Sequence, residues 1–201
     1  MVSVAQMTSS ERSRSEAGRT TAGRHVFKRV NSPVGVLTLV ASDEGLAAIL
    51  WENDHPTRVR LDRGSEEPGH PVLVETERQL AEYFAGRRRQ FALKLKPSGT
   101  PFQQKVWQAL LTIPFGETRS YAQIAKEIGR PRAVRAVGAA NGKNPLSIVA
   151  PCHRVIGSTG ALTGFAAGLE IKAYLLALEG VRLPVGDANR GTDPGSEEPV
   201  S

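Results

Sequence analysis

The residues best suited to covalent chemistry are consecutive, in the run Pro151-Cys152-His153-Arg154. Cys152 is the only cysteine, His153 is a candidate base for its proton, and Arg154 is a cation that would favour the thiolate. On an extended strand the thiol and the imidazole would point to opposite faces. A helical turn starting at Pro151 would bring them together, lower the thiol pKa at a helix N-terminus and leave space for a bridging water. Spacing alone leaves both arrangements open, as well as a cysteine that is simply buried.

The cysteine and histidine counts bear on metal binding. One cysteine builds neither an intramolecular disulfide nor a cysteine-rich zinc site. The four histidines are scattered and show no ligand spacing: His25, His55, His70 and His153. We therefore expect no metal.

The positive charge is concentrated in one part of the chain. From Thr100 to Arg182 there are ten lysines and arginines against four glutamates, a surplus of +6 that equals the net charge of the whole chain. A basic segment beside near-neutral flanks favours a polyanionic partner such as nucleic acid. Charge alone also fits an ordinary solvated surface.

The elements that position the cysteine are mainly helical. Thr100 and Ser120 each open a capping box, which predicts helix starts, and a third helix is predicted from Pro131 to about Asn141. Two short helices around the glycine-containing turn at Gly129 are typical of a helix-turn-helix. The run Ile148–Ala150 predicts a short buried strand leading to Pro151.

The third helix is made almost entirely of small residues around one arginine, Arg135. Such a helix packs well in a core, because alanine and glycine are often buried. It is equally suited to a close approach to a DNA groove, with Arg135 as its only long side chain. The sequence leaves these two interpretations open.

The region before residue 97 has a different residue pattern from the C-terminal region, with short apolar runs separated by turns. Three β-branched or apolar runs separated by turns predict an antiparallel meander: His25–Val30, Val34–Ala41 and Leu46–Trp51. A polar loop over Asn53–Gly69, a helix over Pro71–Ala85 and a further strand over Arg89–Leu95 are predicted to follow. We assign residues 25–96 to a small N-terminal domain and 97–184 to a C-terminal domain. The polar tails, 1–24 and 185–201, are expected to be disordered. With no apolar signal segment or membrane span, we expect a cytoplasmic protein.

The chemistry-bearing run closely resembles the active-site signature of the O6-alkylguanine-DNA alkyltransferases. The similarity covers about Gly99 to Gly180 in register and includes the following segments: Arg119-Ser120-Tyr121, Arg135-Ala136-Val137-Gly138, Asn144, Pro151-Cys152-His153-Arg154-Val155, Gly160-Ala161-Leu162-Thr163-Gly164-Phe165, Lys172 and Leu175-Leu176-Ala177-Leu178-Glu179-Gly180. The resemblance implies an α+β protein. A small N-terminal α/β domain of the ribonuclease-H-like type would precede a C-terminal winged helix-turn-helix.

The resemblance also implies a reaction and a role for each site residue. Cys152 would take the alkyl group from O6-alkylguanine in double-stranded DNA once, irreversibly and without a cofactor. His153 would remove the thiol proton through a water, Glu179 would hold the other imidazole nitrogen, and Asn144 would brace the turn. The remaining assignments are a DNA-binding set of Arg135, Tyr121, Ser120, Ala136 and Gly138, and an alkyl pocket of Pro145, Ser147, Val155, Phe165 and Ala166. We expect a monomer in solution and leave cooperative binding to DNA open.

Departures from the family pattern and rival functions complete the sequence reading. The cysteines with which some relatives bind zinc in the N-terminal domain are missing, and Phe165 stands where many relatives have tyrosine. The chief rival is a helix-turn-helix regulator without transfer chemistry, which leaves the Pro151–Val155 signature unexplained. An alkyl-base sensor would lack Cys152, and no oxyanion-hole signature supports a cysteine hydrolase.

Overall fold

In the computed structural model of the chain, residues 23–182 are described. The disorder expected for 1–24 and 185–201 concerns segments outside this range, apart from Gly23 and Arg24, which are exposed. The N-terminal half contains β1 (Val26–Ser32), β2 (Gly35–Ser42), β3 (Gly45–Trp51), β4 (Ser65–Glu66) and α1 (Pro71–Phe84). The C-terminal half contains α2 (Pro101–Leu111), β5 (Arg119–Ser120), α3 (Tyr121–Glu127), α4 (Val134–Gly142), a 3₁₀ turn (Cys152–Arg154), β6 (Val155–Ile156) and α5 (Leu169–Leu178).

The predicted meander is confirmed. β1 pairs with β2 and β2 with β3, both antiparallel, in a sheet of order β3-β2-β1-β4. Apolar β-branched, alanine and leucine residues recur along β2 and β3, so these two strands are buried on both faces, whereas β1 is partly exposed. α1 covers one face with Leu73, Leu80 and Tyr83, and a smaller cluster of Val40, Ala48 and Leu50 lies on the other. The sheet thereby becomes a rigid platform for the C-terminal half.

Two predictions for the N-terminal half were wrong. Residues 53–69 were expected to be loop throughout, but β4 lies there and pairs with β1 in parallel. The strand predicted over Arg89–Leu95 does not form. Within this segment only Leu95 forms an isolated bridge, to Leu46. A strand ladder is not formed because the Gln79 side chain bonds both the N–H and the carbonyl of Ala92. Side-chain hydrogen bonds thus replace the ladder that the alternating pattern suggested.

The first three helices of the C-terminal half start largely as the sequence signals predict. Thr100 and Ser120 each form a full capping box, with Gln103 and Gln123 respectively. The third helix begins at Val134 and not at Pro131. Residues 130–133 form a turn instead, in which Ala133 N–H donates to Arg130 O over 2.8 Å. The Trp107 indole N–H donates to Ala140 O over 2.9 Å and fixes α4 against α2.

The segment before Cys152 is a tight turn, so the strand predicted over Ile148–Ala150 was wrong. Val149 N–H donates to Ser147 O and Ala150 N–H to Leu146 O, and Ile148 has a φ of +72°. A β-branched residue in the left-handed region is strained. The run is apolar because the turn is buried, and burial alone does not distinguish a turn from a strand.

The two halves are joined directly at this turn. Ile49 N–H, in β3, donates to Pro145 O over 2.8 Å, and Ile49 forms an isolated parallel bridge with Leu146. One apolar cluster contains buried residues of both halves, from Val26 to Leu175. Among residues 23–182 no helix is long and apolar enough to span a membrane.

Candidate active site

Cys152 opens a three-residue 3₁₀ turn and is only 5% exposed. The turn is held by Asn144, a fully buried residue whose side-chain amide donates to Ala150 O over 2.7 Å and accepts from Leu146 N–H over 3.0 Å. Of the two arrangements that spacing left open, the structure has the helical turn and not the extended strand. The side chain of Asn144 thus fixes the backbone two residues before the thiol.

The electrostatics of the thiol differ from the sequence expectation. Burial raises the pKa of Cys152, although the Asn144 side chain and the charges of Arg58 and Lys172 oppose the shift. The predicted lowering by a helix N-terminus fails because a three-residue turn aligns too few peptide dipoles. Arg154 was expected to favour the thiolate, but its guanidinium is bound elsewhere. The resting thiol therefore keeps its proton and needs a base.

His153 is the candidate for that base. Its Nε2 lies 2.7 Å from Glu179 Oε1, its side chain is fully buried, and its Nδ1 is buried without a hydrogen-bond partner. Burial lowers the pKa of His153 despite the neighbouring carboxylate. A neutral imidazole that donates from Nε2 to Glu179 carries its lone pair on Nδ1. The arrangement thus provides an unused acceptor on the residue that follows Cys152 in the chain.

Glu179, directly after α5, is the centre of a buried hydrogen-bond network. Arg154 donates to it from Nε over 2.7 Å and from Nη2 over 2.9 Å, and the Tyr83 hydroxyl donates over 2.7 Å. Burial opposes its ionisation, but the hydrogen bonds from His153 and Arg154 outweigh burial and lower the pKa of Glu179 to about 2. The carboxylate is therefore charged and orients His153.

Two further groups lie beside the thiol. Lys172 is fully buried and its Nζ donates to Val155 O over 2.6 Å and to Thr163 O over 2.8 Å. Burial lowers its pKa to about 8, and the Cys152 charge opposes that shift. The Tyr121 hydroxyl donates to the same Thr163 carbonyl over 3.3 Å. Lys172 thus joins the loop after residue 160 to β6, and Tyr121 joins the same loop to α3.

The residues assigned to an alkyl pocket surround the same turn, with different exposure. Pro145, Ser147 and Val155 are buried, and the Ser147 hydroxyl has no hydrogen-bond partner. Phe165 is half-buried and Ala166 is exposed. The first three therefore lie within the turn and β6, and the other two lie on the loop attached to it.

The candidate DNA-binding residues lie on α3 and α4. Arg135 and Ala136 are exposed, which favours close approach to DNA over a core role for this face. Gly138 is half-buried, and a Cβ there would lie 3.8 Å from the Tyr121 ring. Ser120 is occupied as the cap of α3, since its hydroxyl accepts from Gln123 N–H over 3.2 Å. Tyr121 therefore connects the exposed helix to the thiol.

Sequence reasoning missed two residues from the N-terminal half. Arg58 forms a buried ion pair with Asp54 and donates to Asn144 O. Tyr83 reaches Glu179. These contacts span 86 and 96 residues along the chain, and no local pattern marks them. Within residues 23–182, no group of three or more histidine, cysteine or acidic side chains is placed to hold a metal ion.

Comparison with known proteins places this geometry in a family. A family model described as "6-O-methylguanine DNA methyltransferase, DNA binding domain" matches residues 101–181, and one described as its ribonuclease-like domain matches 26–97. The methylated-DNA–protein-cysteine methyltransferase of Methanosarcina acetivorans is 49% identical over 149 residues, covering 74% of this chain and 94% of the relative. The constitutive enzyme of Bacillus subtilis is 48% identical over 155 residues, covering 76% and 94%.

A solved structure agrees over both halves. The structure of Mycobacterium tuberculosis OGT in complex with DNA is similar to this chain with a TM-score of 0.71 and 45% sequence identity, covering 80% of this chain and 96% of that one. The α+β architecture of two domains, a ribonuclease-like one followed by a DNA-binding one, is thus shown. The chain belongs to the 6-O-methylguanine DNA methyltransferase family.

Proposed function

We propose that this protein repairs alkylated DNA by moving the alkyl group from O6-alkylguanine to Cys152. The observation that carries the proposal is the neutral, buried His153, held by Glu179 through Nε2 and offering an unpartnered Nδ1 beside the only cysteine. The names of the relatives, which describe transfer of methyl groups from DNA to a protein cysteine, support the same reaction.

The reaction begins with proton transfer. Because burial keeps the thiol protonated, a water passes the proton from Cys152 Sγ to His153 Nδ1, and the charge of Glu179 stabilises the resulting imidazolium. The thiolate then attacks the alkyl carbon. An S–C bond forms, the C–O6 bond breaks, and its electron pair leaves with guanine, which takes up a proton. The alkyl group comes from the DNA itself, so no cofactor is needed.

The product explains why each molecule reacts once. A thioether at Cys152 has no hydrolytic route back to a thiol, unlike an acyl-enzyme. The protein is therefore consumed in stoichiometric amounts. All three groups of the reacting set, Cys152, His153 and Glu179, come from one chain, which supports action as a monomer.

Access to a base inside a duplex requires that it leaves the stack. We assign Arg135, exposed on α4, to fill the vacated space, and Tyr121 to press on the phosphate that rotates during flipping. The exposed small residue Ala136 allows the backbone to approach the sugars, and Gly138 leaves room for Tyr121. The flipped base would then lie among Pro145, Ser147, Val155, Phe165 and Ala166. The relatives come from an archaeon and a bacterium, whose DNA lies in the cytoplasm, so we place the protein there.

A helix-turn-helix regulator without transfer chemistry is the alternative. It accounts for the basic surface but gives no role to a buried carboxylate that accepts from His153, Arg154 and Tyr83 beside a lone cysteine. Binding of DNA alone would not require that network. The family relationship also favours transfer over simple binding.

Mass spectrometry of the protein after incubation with a duplex containing O6-methylguanine tests the proposal. We expect one added methyl group, on the peptide that contains Cys152, and none after incubation with unmodified duplex. Cys152→Ala should still bind the damaged duplex and acquire no label. Labelling at another residue, or equal labelling by unmodified DNA, would refute direct repair.

A further inference from the structure

One aromatic contact joins the loop Gly164–Gly168 to the N-terminal half. Both end glycines have positive φ, +35° and +93°, and a Cβ at either would meet nothing within 4 Å. Phe165 is the only large side chain in the loop. Its ring meets the Trp51 indole edge-on, with 5.7 Å between centroids and 65° between planes. The position of this loop therefore depends on a residue of the N-terminal half.

Trp51 is itself firmly placed. It ends β3 opposite Leu37 and is 5% exposed. Its backbone N–H donates to Asp54 Oδ2 over 3.2 Å, and Asp54 pairs with Arg58, which donates to Asn144 O. The segment 51–58 thus contacts the site twice, through Arg58 at the cysteine turn and through Trp51 at the loop.

The loop lies close to the thiol. Thr163, directly before it, accepts from Lys172 Nζ and from the Tyr121 hydroxyl. Both of these groups interact electrostatically with Cys152. A substituent on the attacked carbon that is too large for the space beside the sulfur must therefore displace this loop. Displacement requires that Phe165 leaves Trp51.

We propose that Trp51 is a positioning residue that sets the size of the alkyl group transferred to Cys152, by fixing Phe165 and with it the loop Gly164–Gly168. The inference rests on the proposed alkyl transfer. A methyl group fits without moving the loop, whereas a bulky group needs the loop to swing about its two glycines. The Trp51 indole N–H is buried without a partner, so replacement of Trp51 breaks no side-chain hydrogen bond. It removes the ring contact with Phe165 together with packing in the main apolar cluster.

The test compares transfer from O6-methylguanine and O6-benzylguanine at the same position of one duplex. We expect Trp51→Leu and Phe165→Leu each to raise the benzyl-to-methyl ratio of rate constants by about tenfold, the scale on which pocket size discriminates. Methyl transfer by Trp51→Leu should change little, whereas Phe165→Leu also alters a residue assigned to the base pocket and is judged by the ratio alone. The double variant should show no further rise, because both changes release the same contact. Trp51→Phe, which keeps a smaller ring, should give an intermediate ratio.

Phe27→Leu is the matched control. Phe27 is a half-buried aromatic of the same sheet, but it packs on the separate cluster of Val40, Ala48 and Leu50. Its loss should leave the ratio at the wild-type value. If Trp51→Leu fails to fold, Trp51→Phe carries the test.

The outcomes separate this inference from the proposed function. An unchanged ratio, or equal slowing of both substrates, would overturn the role of Trp51 while methyl transfer by the wild type still supported repair. Additive effects in the double variant would also overturn it, because Trp51 would then act independently of Phe165. Failure of the wild type to accept either group would overturn both.

Discussion

Glu179 shows how much chemistry one side chain organises in this molecule. Four residues donate to its carboxylate: His153, Arg154, Tyr83 and the backbone of Gly116. Its contact with His153 determines which imidazole nitrogen holds the proton. Its contact with Arg154 removes from the thiol the cation that the sequence suggested would activate it. A single carboxylate thereby contacts both the proposed base and the arginine that follows it.

Replacement of Glu179 by glutamine should destabilise the fold by about 3–5 kcal/mol, because Arg154 would remain charged, buried and poorly paired. Since the folded pKa of about 2 lies below the ordinary value of 4.5, the carboxylate stabilises the fold above pH 4.5 and this stabilisation is lost as pH falls towards 2. Denaturant unfolding from pH 7 to pH 3 measures the difference between the variant and the wild type.

That difference should be constant down to about pH 5 and shrink below it. Glu170→Gln is the matched control, because Glu170 is exposed on the same final helix. A loss in the control as large as that in Glu179→Gln would contradict the assigned network.

The rate of methyl transfer should respond to pH through His153. Its pKa is lowered by burial, so the imidazole stays neutral down to below the ordinary value of 6.5. The rate constant should therefore be flat through neutral pH and fall about tenfold per pH unit only once His153 is protonated in acid. Single-turnover rates between pH 5 and 8 check this. A decline already between pH 8 and 7 would show that the pKa is raised. Binding of damaged duplex by Cys152→Ala over the same range is the control.

At the scale of the elements, helices and strands marked by local sequence signals were predicted correctly, and those determined by distant contacts were not. The meander and the helix starts at Thr100 and Ser120 followed from turn residues and capping boxes, which act locally. The turn at Ile148 did not, because its φ of +72° is imposed by Asn144 and by β3 on a residue that disfavours it. The strand predicted over Arg89–Leu95 likewise does not form, because the Gln79 side chain hydrogen-bonds the backbone of Ala92, 13 residues away. Local rules failed where distant partners supply the hydrogen bonds.

The exposed small face of α4 yields a prediction of its own. Ala136→Leu should leave the melting temperature nearly unchanged, since both residues favour helix and the site is exposed. It should nevertheless slow repair of duplex DNA much more than reaction with free O6-alkylguanine base, because a larger side chain separates the helix from the groove. Parallel rate measurements with the two substrates check this. Ala81→Leu, at an exposed position of α1, is the control and should slow the reaction with neither substrate. Equal slowing of both substrates in Ala136→Leu would argue against α4 as the DNA face.

At the scale of the whole molecule, the charge composition favoured a nucleic-acid partner, and the signature around Cys152 predicted alkyl transfer. The basic surplus between Thr100 and Arg182 lies in the half that the DNA-binding family model matches. The signature from Pro151 to Val155 predicted Cys152 and His153 as site residues, and its register predicted Glu179, which contacts His153 in the structure. What stayed hidden was the contribution of the N-terminal half, because Tyr83 and Arg58 approach the site only in the folded chain.

The net charge predicts a strong dependence of DNA affinity on salt. Each neutralised phosphate releases counterions, so the affinity of Cys152→Ala for a duplex should fall by orders of magnitude between about 50 and 200 mM salt. A titration followed by fluorescence anisotropy measures the slope. Arg135→Ala should reduce the affinity and leave most of the slope, because other cations of the same half remain. A flat dependence would contradict phosphate binding.

The hydrogen bond from Tyr83 to Glu179 has a consequence for how this architecture can be divided. A fragment that starts at residue 97 would retain sulfur, imidazole and carboxylate, yet its carboxylate would lose a donor and its Asn144 would lose Arg58. The two halves are separate units in the sequence, but the site in the C-terminal half depends on hydrogen bonds from the N-terminal half. In a chimera that takes its N-terminal half from a relative, the reactivity of Cys152 should therefore change although the C-terminal half that contains it is unaltered.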